Sequence, residues 1–370
     1  MRIAILTSSR ADYGIYLPLL RELQKSVDIE FGLVVFGTHL SKQHGYTIEA
    51  IRNDGFPIFK EIDSLLPGDS SFSISSSYAL TANKFAEYWE DSNRQLDLII
   101  ALGDRFEMAA AVAASIPFGI KIAHLHGGET TLGAIDNIYR HSITLASTLH
   151  FVSAEPFVER VKQLHQGESI EVYNVGSLSL ENLQSLPLLT REEFFDKWNI
   201  DLNLDTILVT VHPETIGFKQ NEVFVLEITK AIEVLSNQYQ VIITMPNADT
   251  SGLLYRNSFD ELGKSIENVK IIENFGSQSY FSAMQHVNLL LGNTSSGLIE
   301  AASFGKYVLN VGDRQKGRLC GENVIHVPFN AEIIIEKTKE LIHTNWTGSN
   351  LYVKPNTSKE IIKRIKQHFG

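Results

Sequence analysis

The densest group of protonatable side chains is HLHGGETTLGAIDNIYRH, His124–His141, with three histidines and two carboxylates. General acid–base chemistry needs opposed protonatable groups, and Glu129, Asp136, His126 and His141 supply them. The same stretch admits a metal reading, because His-x-His followed by a carboxylate suits zinc or manganese. Only one of His124 and His126 is expected to face a ligand. A second candidate is GDRFE, Gly103–Glu107, directly after the apolar run LDLIIAL. There Asp104 is placed to act as a base or hydrogen-bond acceptor and Arg105 to meet a phosphate; the structural alternative is an Asp that caps the next helix.

Anion binding has its own candidates. SSRADYG, Ser8–Gly14, offers small residues and Arg10 at a helix start, which suits a phosphate or, more plainly, a polar turn. GNTSSGLIEAASFGK, Gly292–Lys306, follows the apolar VNLLL and leads into a helix. Thr294, Ser295, Ser296 and Gly297 would present hydroxyls and amides to a pyrophosphate, and Glu300 would accept from a pair of hydroxyls. An N-cap box with a solvated Glu300 is the alternative. GDRQKGR adds Arg314 and Arg318, TVHPET aims His212 after a buried strand, and MPNADTSG offers Asn247. The chain contains neither GxGxxG nor GxxxxGK[ST].

Each of these segments comes directly after a strand-like run. In the first half these runs are Arg2–Thr7, Phe31–Phe36, Leu96–Leu102, Lys121–His124, Leu149–Val152 and Glu171–Asn174. Helical stretches such as Ile15–Gln24, Ser75–Arg94, Phe106–Ser115 and Ala154–Leu164 separate them. The pattern pauses over Ser177–Thr190 and resumes at Asp205–Val211, Gln240–Thr244, Val269–Ile272, Val287–Leu291 and Tyr307–Asn310. Runs apolar on both faces that alternate with helices predict parallel, doubly wound sheets. The expected division is residues 1–180, residues 190–350 and a closing helix in 355–370. In such sheets ligands sit beyond the carboxyl ends of the strands, where the motifs lie.

Composition narrows the classes. A chain of 370 residues is comfortable for two domains. No stretch reaches the ~20 apolar residues that span a bilayer, and the first residues lack a signal-peptide layout. Cys320 is the only cysteine, which excludes an internal disulfide and fits a reducing cytoplasm. Acids outnumber bases by 43 to 32, so a general nucleic-acid surface is not expected. Neither nucleic acid nor membrane is an expected partner.

Taken in order, RADYG, GDR, GGE…IDN…RH, HPET, NTSSG…E and GDRQ-x-GR…GENVIHV resemble the UDP-N-acetylglucosamine 2-epimerases, from the first strand to about Pro328. The RADY and GGE forms resemble the hydrolysing branch, which makes N-acetylmannosamine for sialic-acid-type sugars of surface polysaccharides. The resemblance implies a GT-B-like α/β architecture, two Rossmann-like domains facing a central cleft, without NAD. It implies UDP against the second domain: phosphate on Thr294 and Ser295, ribose on Glu300, and uracil near Phe275 and Gly276. Arg10, Arg105, His212 and Arg314 would surround the pyrophosphate, with Asn247 nearby.

The reaction implied is anti elimination of UDP across C1–C2 to a 2-acetamidoglucal, then hydration with protonation at C2 from the other face. Asp104, Glu129 and Asp136 are the expected acid–base groups and His141 their helper. Relatives commonly carry a glutamate where this chain has His126, so His126 or Glu129 takes that role here. The expected substrate is UDP-N-acetylglucosamine; the alternative is UDP-2,4-diacetamido-2,4,6-trideoxyglucose, of legionaminic-acid pathways. Relatives are usually homodimers or homotetramers. A GT-B glycosyltransferase would need an acceptor or membrane-facing surface that the first half lacks. A non-catalytic sensor would have no use for the three carboxylates.

Overall fold

The runs that are apolar on both faces become the central strands of two sheets. A computed structural model describes residues 1–68, 70–92, 95–132, 134–166, 168–214, 220–246 and 252–369. The first sheet contains β1 (Arg2–Thr7), β2 (Glu30–Phe36), β3 (Ile58–Ile62), β4 (Leu98–Leu102), β5 (Ile122–Leu125), β6 (Leu149–Val152) and β7 (Glu171–Asn174). The second contains β8 (Thr206–Thr210), β9 (Gln240–Thr244), β10 (Val269–Ile272), β11 (Leu289–Gly292), β12 (Val308–Val311) and β13 (Val324–Val327). The helices of the first half are α1 (Arg10–Leu23), α2 (Ile48–Asp54), α3 (Ser71–Ser92), α4 (Phe106–Ser115), α5 (Asp136–Ala146), α6 (Glu155–His165) and α7 (Leu178–Ser185). Those of the second are α8 (Arg191–Trp198), α9 (Asn221–Leu235), α10 (Gly252–Ser265), α11 (Gly276–His286), α12 (Ser295–Ile299), α13 (Ala331–Leu341) and α14 (Thr357–Phe369).

The strand orders are β3-β2-β1-β4-β5-β6-β7 and β10-β9-β8-β11-β12-β13, and the pairings are parallel. Parallel neighbours need crossovers, which the helices provide on both faces. Both sheets are therefore doubly wound, the two-Rossmann α/β architecture expected from the sequence. The order reverses between β1 and β4 and again between β8 and β11. At such switch points the loops beyond the strand carboxyl ends diverge and leave room for a ligand.

Side-chain alternation splits the core of the first sheet. Ile3, Ile5, Leu33, Val35, Leu98 and Ile100 pack on one face with α1 and with Ile361, Ile362 and Ile365 of α14. Ala4, Leu6, Val34 and Phe36 pack on the other with Phe85 and Trp89 of α3 and Met108 of α4. The second sheet buries Ile207, Val209, Val241, Ile243, Leu289 and Leu291 under α9, α10 and α13. Each fully buried side chain of this size contributes about 1.5–3 kcal/mol, enough to hold the loops at the strand ends on a rigid base.

The chain divides into two units. One comprises Met1–Glu129, Asp136–Gln184 and Tyr352–Gly370; the other Thr130–Ile135 and Ser185–Leu351. The six residues Thr130–Ile135 fall within the range the sequence reading gave to the first domain, yet they cluster with the second unit. The Leu132 amide donates to the Lys316 carbonyl at 2.8 Å, and the Leu132 side chain packs beside Gly317. No helix among the described residues is long and apolar enough to cross a membrane.

Candidate active site

After β1 the helix starts earlier than expected, at Arg10 rather than Ile15, because Ser9 and Asp12 form a capping box. The carboxylate of Asp12 accepts from the amides of Ser8 and Ser9, both at 3.0 Å, and from both serine hydroxyls at 2.8 and 3.1 Å. It also accepts from the Thr7 hydroxyl and lies 3.9 Å from His39 Nε2. Burial alone would raise its pKa, but His39 and these hydrogen bonds hold it below the ordinary carboxylate range. The amides of Ser8 and Ser9, expected to receive a phosphate, thus already serve an internal anion. Arg10 is the first helical residue and is exposed.

The turns after β4 and β5 bring the acid–base candidates together. Arg140, buried on α5, forms an ion pair with Asp104 and donates to the Glu129 carbonyl at 3.1 Å. The Glu129 carboxylate accepts from Ser153 Oγ at 2.7 Å and lies 3.3 Å from His126 Nδ1. Asp104, Glu129 and His126 are therefore members of one network that Arg140 bridges. Asp136 opens α5, one helical turn before Arg140. Arg105, expected to meet phosphate, is the N-cap of α4 and binds the buried Glu107 carboxylate through two nitrogens, at 2.9 and 3.2 Å.

The three histidines separate. Along a regular strand residues two apart share a face, but His126 leaves the strand with φ +62°, in the left-handed region that costs a non-glycine residue about 1–2 kcal/mol. His124 stays in β5, its Nε2 2.9 Å from the Gly103 carbonyl, and burial pushes its pKa down to about 4. It is a neutral support for the GDR turn. His141 has no hydrogen-bond partner for either ring nitrogen among the described residues, and burial, then Arg140 and Arg160, lower its pKa. Among the described residues no cluster of three His, Cys, Asp or Glu side chains has the geometry to hold a metal.

In the second unit three strand-end loops are tied together by side-chain amides and one carboxylate. Asn293, after β11, accepts from the His212 amide at 2.7 Å and donates to the His212 carbonyl at 2.8 Å. Its own carbonyl accepts from Gln315 Nε2 at 2.8 Å and from Arg314 at 3.4 Å. Glu214 accepts from the Asp313 amide at 2.6 Å, and burial raises its pKa although the Asp313 and Arg314 amides donate to it. Two glycines permit the approach. A Cβ on Gly292 would stand 1.9 Å from the Thr210 carbonyl oxygen, and one on Gly312, at φ +73°, would stand 2.5 Å from Glu214 Oε1.

The remaining nucleotide candidates sit around this frame. Thr294 is the N-cap of α12 and accepts from the Gly297 amide at 3.2 Å; Ser295 and Ser296 open the helix. Glu300 is buried at its C-terminal end. The Tyr280 hydroxyl lies within hydrogen-bond reach of Ser296, Thr210 and Thr294, and burial raises its pKa. Phe275 is not available to stack on a base: its ring lies 5.4 Å from Phe194 and 4.8 Å from Trp198, leaving the backbone at Gly276 (φ +68°) to line that loop. Asn247 lies outside the described residues. Sequence reasoning missed Arg140, Ser153, Asn293, Glu214, Gln315 and Tyr280. Most stand inside the motifs already singled out; Tyr280 and Ser153 carry no local signal.

Comparison with known proteins places the chain in a family and a fold. The family profile described as "UDP-N-acetylglucosamine 2-epimerase" matches residues 21–366. A Campylobacter jejuni protein named GDP/UDP-N,N'-diacetylbacillosamine 2-epimerase (hydrolyzing) is 34% identical over 89% of this chain and 85% of its own. Polysialic acid biosynthesis protein P7 of Escherichia coli is 34% identical over 99% and 93%. The UDP-N,N'-diacetylbacillosamine 2-epimerase (hydrolyzing) of Legionella pneumophila is 31% identical over 99% and 97%. The crystal structure of a Neisseria meningitidis UDP-GlcNAc 2-epimerase shares the fold with a TM-score of 0.80 at 19% identity, over 99% of this chain and 100% of that one.

Proposed function

Because this chain belongs to the UDP-N-acetylglucosamine 2-epimerase family, as a hydrolysing enzyme acting on a UDP-linked N-acetylhexosamine, we propose that its substrate is UDP-2,4-diacetamido-2,4,6-trideoxyglucose. The activities for which the Campylobacter and Legionella relatives are named support that sugar over UDP-N-acetylglucosamine. The products are UDP and 2,4-diacetamido-2,4,6-trideoxymannose. Loss of the C2 proton and of UDP from C1 gives the glucal; water then adds at C1 while a proton returns to C2 from the opposite face.

The observation that carries the chemical reading is the Arg140-bridged cluster of Asp104, Glu129 and His126. Elimination needs a base at C2 and an acid toward the leaving oxygen, and carboxylates held in fixed orientation by a guanidinium and a hydroxyl meet that need. Asp104, Glu129 and Asp136 are assigned the proton transfers. His126, held at Glu129, takes the place of the glutamate common in relatives, and His141 assists. Thr294, Ser295, Ser296 and Gly297 are assigned to the phosphates with Arg10, Arg105, His212, Asn247 and Arg314; Glu300 is assigned to the ribose, and the Phe275–Gly276 backbone to uracil.

The test is incubation with each UDP-sugar in deuterated water, followed by proton NMR. UDP release with deuterium at C2 of the diacetamido-trideoxymannose is the expected result. A second reading, UDP-N-acetylglucosamine, draws support from the family description and the polysialic-acid relative; turnover of that sugar alone would replace the first. No turnover of either would end both.

A further inference from the structure

We propose that the second unit carries a further anion site, for a phosphate-bearing small molecule, in a recess at the amino-terminal ends of β8, β11 and β12. These neighbouring strands carry the nucleotide-loop candidates at their other ends. With four or five residues each, they separate the two places by about 15 Å. The recess has a volume of about 440 Å³, and Leu189, Thr190, Arg191, Asn203 and His286 are among its lining residues. Asn203 precedes β8, His286 closes α11 before β11, and Lys306 stands just before β12.

Like charges converge here with no ion pair formed among them; Glu192, in the lining, acts on Arg191 and His286 only from beyond ion-pair range. Arg191 and the half-buried Lys306 act on each other, and both act on His286. Among the described residues no carboxylate lies within ion-pair range of Arg191 or Lys306. Arg191 spends its Nε on the Leu202 carbonyl at 3.0 Å. Glu193 is used by the capping box with Thr190, and Glu192 is drawn to its own amide and the Thr190 hydroxyl. A chain with 43 acids to 32 bases has no shortage of partners. The half-buried Lys306 gives up hydration without gaining an ion pair, a cost that a bound anion would offset.

The chemistry of the recess, with Arg191 in its lining and Lys306 beside it, specifies the anion. A guanidinium and an ammonium suit a phosphate dianion, the one by paired donors and the other as a point charge. His286 supplies the third group: its Nε2 is 3.0 Å from the Leu189 carbonyl, and burial with the two cations lowers its pKa. The titratable groups facing it are Arg191 and Glu192 on α8 and Lys306 before β12. A bound anion reverses the repulsion, so binding draws a proton onto His286. The volume falls within the range of small-molecule pockets and fits a phosphorylated sugar.

The test is isothermal titration of the full chain with inorganic phosphate and with glucose 6-phosphate at pH 6.5 and 8. Lys306→Met and Arg191→Gln are each expected to weaken binding about tenfold, and saturating UDP, which fills the nucleotide loops, to leave it unchanged. His286→Gln is expected to remove part of the pH dependence. Equal affinity for the two probes assigns the site to free phosphate; tighter glucose 6-phosphate assigns it to a phosphorylated sugar. Thermal melting without probe checks folding: Lys306→Met should melt no lower than wild type, and the exposed Arg191 gives a second variant if it does. No heat from either probe at millimolar concentration, unchanged affinity in both variants, or competition by UDP overturns the proposal.

Discussion

The loops at the two switch points solve different problems with different chemistry. In the first unit, the network after β4 and β5 is built mainly on pairs of charged or titratable side chains: Asp104 with Arg140, Glu129 with His126, Arg105 with Glu107. In the second, the loops after β8, β11 and β12 are fixed mainly by neutral amides: the Asn293 side chain pairs with the His212 backbone, and the Gln315 side chain donates to the Asn293 carbonyl. A protonatable network can change state during a reaction. An amide frame keeps its donors and acceptors whatever the pH, which suits a group that must hold rather than react.

Three experiments press on that contrast. Asp104→Asn should cut turnover by about 10³-fold with UDP affinity unchanged, because it removes a proton-transferring group while keeping shape. Lost UDP binding in that variant would erase the division of labour. Acid should find the first unit before the second. His124 and His150 are buried neutral, with pKa values lowered to about 4 and about 3, and their rings lie opposite each other on β5 and β6. In the unfolded chain they take protons near 6.5, so the native state binds fewer protons below that value. Their contribution is complete above it and drains away as pH falls toward 4, roughly 3 kcal/mol each. Hydrogen exchange across that range should show β5 and β6 opening before β8 and β11; simultaneous opening would contradict it. The smallest effect is Asn293→Ala, about 2–4 kcal/mol in urea unfolding, because the His212 amide and carbonyl lose buried partners. UDP affinity should fall with it, and turnover per bound substrate should not.

How much was legible beforehand follows from burial. The central strands RIAILT, LIIAL and TILVT are apolar on both faces and announce themselves. β3 and β13 escaped, although the other two outer strands, β7 and β10, were found. IFKEI and VIHV carry polar residues that an edge exposes, so neither forms a continuous apolar run. The motifs located the site loops, but residue type did not reveal which member of each faces a ligand. Arg10 and Asp12 look equally available in RADYG, and only the fold turns Asp12 inward onto Ser8 and Ser9. Phe275 is expected near the uracil, but nothing local shows that its ring packs against Phe194 and Trp198, more than 75 residues earlier in the chain. Long-range partnership of this kind has no local signature.

The hexapeptide Thr130–Ile135 raises the number of times the polypeptide changes units between its ends from two to four. Severing the gene at Gln184 would therefore yield no self-sufficient half. One fragment would lack α14, whose three isoleucines complete its core, and the other would lack the strip whose Leu132 lies along Gly317. Chimeras that swap sugar specificity between relatives must carry residues 130–135 with the second portion and 352–370 with the first. Because that strip joins Glu129 directly to Asp136, its graft also decides where two of the three carboxylates stand.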